Sequence, residues 1–265
     1  MPEPSAQDEF AWVYNKIWGP YASQAIQILD ELLLKQLPPR ARFLDLCCGT
    51  GQLSNLLTNR GYQVTGIDSS EAMIRFARRN APDAMFVIQD ARQFCHPESY
   101  DAIVSIYDSL NFITIKEDLI DVFQNVISSL KPGGWFLFDL NTESGYLDHW
   151  EDGIFDIVED DHVCVVHASY DPEERSAQFD VTIFRLHDVW RRSDLTLVQR
   201  CYSKNQITES LEIAGFEDIT IHGYHDEKGL TELTPESDRM YFVSRKPLRE
   251  FHYENAKMRY MKWNR

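Results

Sequence analysis

Residues 43–53 read Phe43-Leu44-Asp45-Leu46-Cys47-Cys48-Gly49-Thr50-Gly51-Gln52-Leu53. The run 42–46 has the apolar character of a buried strand. It leads into a glycine turn and then into a helix over 51–59, closed by Gly61. Gly49 and Gly51 carry no Cβ, so backbone N–H groups there can come close to a ligand. The helix N-terminus beside them favours a negative ligand group. A second strand, 62–68, ends on Asp68, 17 residues after Gly51. In nucleotide-type α/β folds an acid at that place holds ribose hydroxyls. Strand, turn, helix and strand in this order point to a bound nucleoside. A dinucleotide fingerprint is incomplete, because Ser54 stands where its third glycine would be, and no phosphate-binding P-loop motif occurs.

The chain around this segment alternates in the same way. Helical spacing over 10–36 is broken near Gly19-Pro20 and ended by Pro38-Pro39. After the second strand the pattern predicts a helix over 70–80 and strands over 85–89 and 100–106. A helix over 117–130 then stops at Lys131-Pro132-Gly133-Gly134, before a strand over 135–140. Such alternation implies right-handed crossovers and a doubly wound, mostly parallel α/β sheet of seven strands. After Leu140 the pattern changes. Strand-like runs over 163–170, 178–190 and 196–202 have turn signals at Asp171-Pro172 and 191–194, which predicts an inserted antiparallel meander. A helix over 206–214 and a strand pair, 216–224 and 240–244, complete the sheet. The expected organisation is a helical lid (1–37), an α/β core (38–140 and 204–246), an insert (141–203) and a C-terminal tail (247–265).

The 265 residues carry 42 acidic against 26 basic side chains, a formal charge of −16. That balance argues against a nucleic-acid or anionic-membrane face. The tail, 247–265, is the exception, with five basic and two acidic residues, and reads as docked on the acidic body or as a homodimer contact. Five cysteines with no C-x-x-C pair argue against a disulfide framework or a zinc site and suit a reducing compartment. With no signal-like leader and no membrane-length apolar run, the expected location is the cytoplasm.

Five motifs occur in a specific order: Leu-Asp-Leu-Cys-Cys-Gly-Thr-Gly at 44–51, Gly-Ile-Asp-Ser-Ser-Glu-Ala-Met-Ile at 66–74, Gln-Asp-Ala-Arg at 89–92, Tyr-Asp-Ala-Ile-Val-Ser at 100–105, and Leu-Lys-Pro-Gly-Gly-Trp-Phe-Leu-Phe-Asp at 130–139. Together they resemble class I S-adenosylmethionine-dependent methyltransferases of the small-molecule type, over roughly residues 10–246. Cys47 stands where that family most often has glycine. The resemblance implies that Asp45 orients the methionine part of the cofactor, which Cys47, Gly49 and Gly51 line with backbone. Asp68 takes both ribose hydroxyls and Met73 packs on the adenine. Asp90 and the Ala91 N–H pair with the adenine edge, and the Ile106 carbonyl faces the ammonium. S-adenosylhomocysteine would be the product.

The aromatic N-terminal segment is also similar to the family's, which implies a lid in which Tyr14 and Tyr21 border the methionine and sulfonium end. Aromatic faces stabilise a cation and exclude water. The segment Tyr107-Asp108-Ser109-Leu110-Asn111-Phe112 follows the fourth predicted strand, at the sheet edge where ligands bind. Asp108 is the candidate general base and, with Asn111, Arg200 and Tyr202, a candidate contact to a small methyl acceptor; Tyr14 is the second candidate catalytic group. The expected reaction is in-line methyl transfer to nitrogen or oxygen without a metal. Two other readings stay open: a non-catalytic S-adenosylmethionine-binding regulator or scaffold, and an NAD-dependent oxidoreductase. Against the latter stand the missing third glycine and Asp90.

Overall fold

The structure is a computed structural model that describes residues 4–150 and 153–248. The N-terminal segment forms α1 (Ala6–Ile17), a tight 3-10 turn (Gly19–Tyr21) and α2 (Ala22–Leu32). The core then alternates: β1 (Arg42–Leu46), α3 (Gln52–Asn59), β2 (Gln63–Asp68), α4 (Glu71–Asn80), β3 (Met85–Ile88), β4 (Tyr100–Ser105), α5 (Lys116–Ser129) and β5 (Leu130–Asn141). An insert follows, made of α6 (Glu143–Trp150), β6 (Gly153–Val158), β7 (His162–Asp171), β8 (Ser176–Leu186) and β9 (Trp190–Arg200). The chain returns to the core through α7 (Lys204–Ala214), β10 (Glu217–His225), β11 (Gly229–Thr231) and β12 (Arg239–Arg245).

The large sheet runs β11-β10-β12-β5-β4-β1-β2-β3. Strands β1 to β5 are parallel, and β12 inserts antiparallel between β5 and β10. The seven expected strands are all present. An eighth, the short β11, extends the edge by forming a hairpin with β10. Chain order reverses between β1 and β4, which opens a crevice at their carboxyl ends, the usual ligand position in such sheets. Apolar stripes bury the helices. On α5, Leu119, Val122, Phe123 and Val126 recur at helical spacing, and each is fully buried. Ser203 caps α7 in a reciprocal box with Gln206, and Gly215 ends it in the left-handed conformation.

The insert is a four-stranded antiparallel meander, β6-β7-β8-β9. Two local expectations are corrected. The turn placed at 191–194 lies inside β9, and the hairpin is made by His187, Asp188 and Val189. Arg192 and Asp194 face solvent and pair with each other at 2.9 Å, so an exposed strand face carries the polar pattern of a turn. The run Lys131-Pro132-Gly133-Gly134 belongs to β5, because Gly133 and Gly134 exchange backbone hydrogen bonds with Lys246. Apart from Pro247 and Leu248, the basic tail lies outside the described residues. Among the described residues no helix is long and apolar enough to cross a membrane.

Three apolar clusters hold the molecule. One packs α5 and α7 on one face of the large sheet, and a second packs α2 and α3 on the other. The third joins the insert to Val13 of α1.

Candidate active site

The turn after β1 contains three left-handed residues, Cys47, Gly49 and Gly51, with φ of 60°, 52° and 81°. Only at Gly51 is the missing side chain demanded by space. A Cβ there would lie 2.8 Å from both Cα and Cβ of Ala77, so α3 and α4 could not approach. Gly49 donates its N–H to Asp68 at 3.0 Å, and Ser70 donates to the other carboxylate oxygen at 2.8 Å. Those two bonds oppose, without overcoming, the burial that raises the Asp68 pKa. A carboxylate offers about four lone-pair sites, so further donors can be accepted.

Asp45, on β1, is 3% exposed and accepts from the Ser54 hydroxyl at 2.6 Å. Burial pushes its pKa up to about 7, and the nearby Asp68 adds to the rise. This acid lies on a narrow cleft with a cavity volume of about 50 Å³, partly open to solvent. Tyr14, Tyr21, Cys47, Ile106 and Tyr107 line the same cleft.

The aromatic wall is built in steps along the N-terminal segment. Phe10, Tyr14 and Trp18 sit on one face of α1 and its cap, with successive ring centroids 6.1 and 6.0 Å apart. Tyr14 stands over the glycine turn, 3.4 Å from where a Cβ of Gly49 would be. Tyr21 stacks on Tyr107 at 4.2 Å. Burial holds the Tyr14 and Tyr107 phenols well above their ordinary range and that of Tyr21 at about 12, so all three stay protonated at neutral pH.

Beyond this wall lies a buried ionic knot that the sequence reading did not anticipate. Tyr107 and Asp108 are both left-handed, with φ of 68° and 48°. Asp139, at the end of β5, is fully buried and accepts both of their N–H groups, at 2.6 and 3.2 Å. Local strain at a sheet edge is thus held by a fixed acceptor. Arg239, opening β12, places one nitrogen 2.7 Å from Asp108 and 2.7 Å from Asp139. Its guanidinium also lies over the rings of Tyr107 and Tyr21. Gln199 of β9 donates to the second Asp108 oxygen at 2.6 Å and accepts from Tyr146 at 2.8 Å. The only sequence signals were a charge at the head of the apolar run 240–243 and the acid closing the motif at 130–139.

The remaining candidates divide. Asp108 follows Tyr107 of the cleft wall but is not itself part of the lining, and both its oxygens are engaged. Asn111 is fully buried, donating to the Arg200 carbonyl at 2.8 Å and accepting from the Asn141 N–H at 3.1 Å. Its amide braces strand ends and is not presented to the cleft. Tyr202 is a core residue whose hydroxyl donates to the Ile113 carbonyl. Arg200 donates to the Thr114 carbonyl and lies over the Tyr202 ring. The Ile106 carbonyl accepts from the Ser109 hydroxyl at 2.9 Å. Gly49, Gly51, Asp68, Met73, Asp90 and Ala91 are outside the cleft lining, although Asp68 is tied to the glycine turn through the Gly49 N–H. Asp90 binds Arg92 at 2.6 Å, and that bond holds its carboxyl below the usual range. Ala91 is buried, and Met73 is half-buried behind the Ser70 cap.

Residues 43–134 match the family model described as a methyltransferase domain. A methyltransferase-family protein of Bacillus subtilis (strain 168) named YqeM is 32% identical over 244 residues, covering 89% of this chain and 96% of that one. The chain belongs to the class I S-adenosylmethionine-dependent methyltransferases. Its methyl donor is S-adenosylmethionine. The dTDP-3-amino-3,4,6-trideoxy-alpha-D-glucopyranose N,N-dimethyltransferase of Streptomyces venezuelae is 29% identical over 164 residues, 59% of this methyltransferase and 65% of that enzyme. Among solved structures, an S-adenosylmethionine-dependent methyltransferase from Clostridium acetobutylicum ATCC 824 superposes with a TM-score of 0.71 at 21% identity, covering 90% of this chain and 98% of that one. The methyltransferase CcbJ from Streptomyces caelestis gives 0.73 at 19% identity, covering 93% and 100%. At these identities the likeness is one of fold, and it includes the insert. Nothing favours the non-catalytic or oxidoreductase readings.

Proposed function

We propose that this methyltransferase methylates a nitrogen of a small amine, and that the cleft between α1 and the tips of β1 and β4 holds the methionine end of the donor. The donor set carries this reading. Asp45 is a buried carboxylate with no cation beside it among the described residues, its pKa raised, in a cleft walled by three tyrosine rings. Such a site is incomplete without a positive ligand group, and S-adenosylmethionine has both an ammonium and a sulfonium. Asp45 would take the ammonium, Tyr14 and Tyr21 would border the sulfonium, and Asp68 would take the ribose hydroxyls. Met73, Asp90 and the Ala91 N–H would flank the adenine. When bound, the cofactor supplies an electrophilic methyl for in-line displacement.

The choice of an amine acceptor rests on charge and on the lack of an available base. Asp108, Asp139 and Arg239 together leave one formal negative charge beside the cleft, which favours a cationic amine over a carboxylate. The tyrosines are too weakly acidic to serve as bases, and Asp108 is tied on both oxygens. A hydroxyl acceptor needs a general base, whereas an amine needs only its neutral form. Asp108 would then orient the acceptor rather than deprotonate it. Sugar N,N-dimethyltransferases among the relatives support the same acceptor chemistry, while trans-aconitate 2-methyltransferases are also among them, so the choice of an amine rests on the charge and hydrogen bonding around Asp108. The acidic surface argues against nucleic acid, and the free cysteines are compatible with a cytoplasmic setting. Incubation with S-adenosylmethionine and parallel panels of amino sugars, simple amines and dicarboxylates, read by mass spectrometry, tests the proposal. A methylene mass gain confined to the amine panels is expected. A gain confined to the carboxylates would overturn it.

A further inference from the structure

Helix α1 presents three faces to three different neighbours. Phe10, Tyr14 and Trp18 form the aromatic file beside the cofactor cleft. Asp8 and Asn15 face the core: Asp8 pairs with Arg75 of α4, and Asn15 accepts from Gln52 at 2.9 Å and Asn80 at 2.6 Å. Glu9, Trp12, Val13 and Lys16 face the insert. Glu9 is a buried acid on a lid helix, its side chain only 5% exposed. Arg185 of β8 lies 3.1 Å from one of its oxygens, and His187 of the β8–β9 hairpin lies 3.0 Å from the other. Trp12 continues this seam. The Arg185 guanidinium sits 3.9 Å from its ring centroid, and the His162 ring meets it edge-on at 5.0 Å.

The apolar packing has the same division. Val13, Phe10, Trp12, Ile17 and Trp18 belong to the cluster of the insert, with Cys164, Val166, Phe179 and Ile183, and not to either cluster of the large sheet. The lid helix therefore shares much of its hydrophobic packing with residues more than a hundred positions away, and meets the α/β core through the polar contacts of Asp8 and Asn15 together with Tyr14, which stands over the glycine turn. Neutral or exposed polar pins break and reform at small net cost, whereas breaking a buried ion pair such as Glu9–Arg185 leaves an uncompensated buried charge. Yet no described residue of the insert lines the cleft, whose walls come from residues 14–107.

We infer that Glu9 is a positioning residue that fastens the cofactor-facing helix to the inserted sheet, so that the two open and close as one cap. Closing Tyr14 onto the bound donor then carries the roof of the acceptor side with it, and the acceptor chamber is completed only when the donor is in place. This inference rests on donor binding in the cleft and not on the identity of the acceptor.

Amide hydrogen exchange of the full chain, with and without S-adenosylhomocysteine, tests it. In the wild type the ligand should slow exchange in α1 and in β7, β8 and β9 together, by about tenfold, within the usual range of coupling factors between sites. In Glu9→Gln, α1 should keep its ligand-dependent protection while the sheet returns to its ligand-free rate. Arg185→Met, which removes the partner, should uncouple the sheet in the same way. In both variants calorimetric affinity for S-adenosylhomocysteine should stay close to that of the wild type, because α1 still closes on the cleft. A sheet indifferent to the ligand in the wild type overturns the inference even if both variants fail to fold, and so does a Glu9→Gln sheet that is protected as in the wild type. Calorimetry with S-adenosylhomocysteine on the wild type reports separately whether the cleft binds the donor, so failure of that reading is distinguishable.

Discussion

Asp45→Asn should make the ligand-free protein more stable at neutral pH and worse at binding its cofactor. The Asp45 carboxyl is buried, its folded pKa is about 7, and the ordinary value is 3.8. A folded pKa above the unfolded one means that the native state holds its proton longer. Stability from this group is therefore complete below pH 3.8 and is lost as pH rises towards 7. A shift of this size corresponds to about 4 kcal/mol across the whole window, as an upper bound. Of that, roughly 2–3 kcal/mol falls between about pH 5 and pH 8, from the two-state linkage relation. Asparagine keeps the shape and can accept from Ser54, but it does not ionise, so the variant lacks this loss. Urea unfolding of both proteins across that range, without ligand, should show the variant gaining relative to wild type as pH rises. Binding runs the other way. If the ammonium needs the anion, wild-type affinity for S-adenosylhomocysteine falls about tenfold from pH 8 to pH 6, and the variant's weaker affinity stays flat. Parallel stability curves, differing by less than about 0.5 kcal/mol over the window, would refute the assignment of a strained anion to this position.

Asp68→Ala removes the acceptor of two backbone N–H groups and the proposed ribose contact, so cofactor affinity measured by calorimetry should weaken by ~2–4 kcal/mol. Arg239→Met leaves Asp108 and Asp139 buried without their cation; denaturant unfolding should show a loss of about 3–5 kcal/mol, partly restored by a second change, Asp139→Asn. Gly51→Ala forces a Cβ against Ala77 at a positive φ, and thermal melting should reveal about 1–3 kcal/mol of destabilisation, with weaker cofactor binding as α3 shifts.

The sheet was legible in the sequence because it is made of local signals. A continuous apolar strand cannot be solvated, a left-handed turn needs glycine, and an acid after a second strand has few structural reasons to be there. Arg42–Leu46, Gly51 and Asp68 each announce themselves within a few residues, and the structure ties the turn after the first strand to Asp68 through the Gly49 N–H. The insert was visible as a change of period, but its hairpin was misplaced because Arg192 and Asp194 make an exposed face look like a turn.

What the tertiary structure alone decided is the company these residues keep. Arg239 and Gln199 are separated from Asp108 by tens of residues along the chain; Asp108 read as a candidate base, whereas each of the other two by itself reads as an ordinary surface polar group. The antiparallel insertion of β12 beside β5 brings Arg239 to Asp139, and the return of β9 delivers Gln199 to Asp108. Asn111 and Tyr202, which looked like substrate contacts, became bracing and core for the same reason. Periodicity records how a segment meets its immediate surroundings. Pairing between distant charges depends on strand order and register, which follow from packing the whole chain and leave no mark in any one stretch of it.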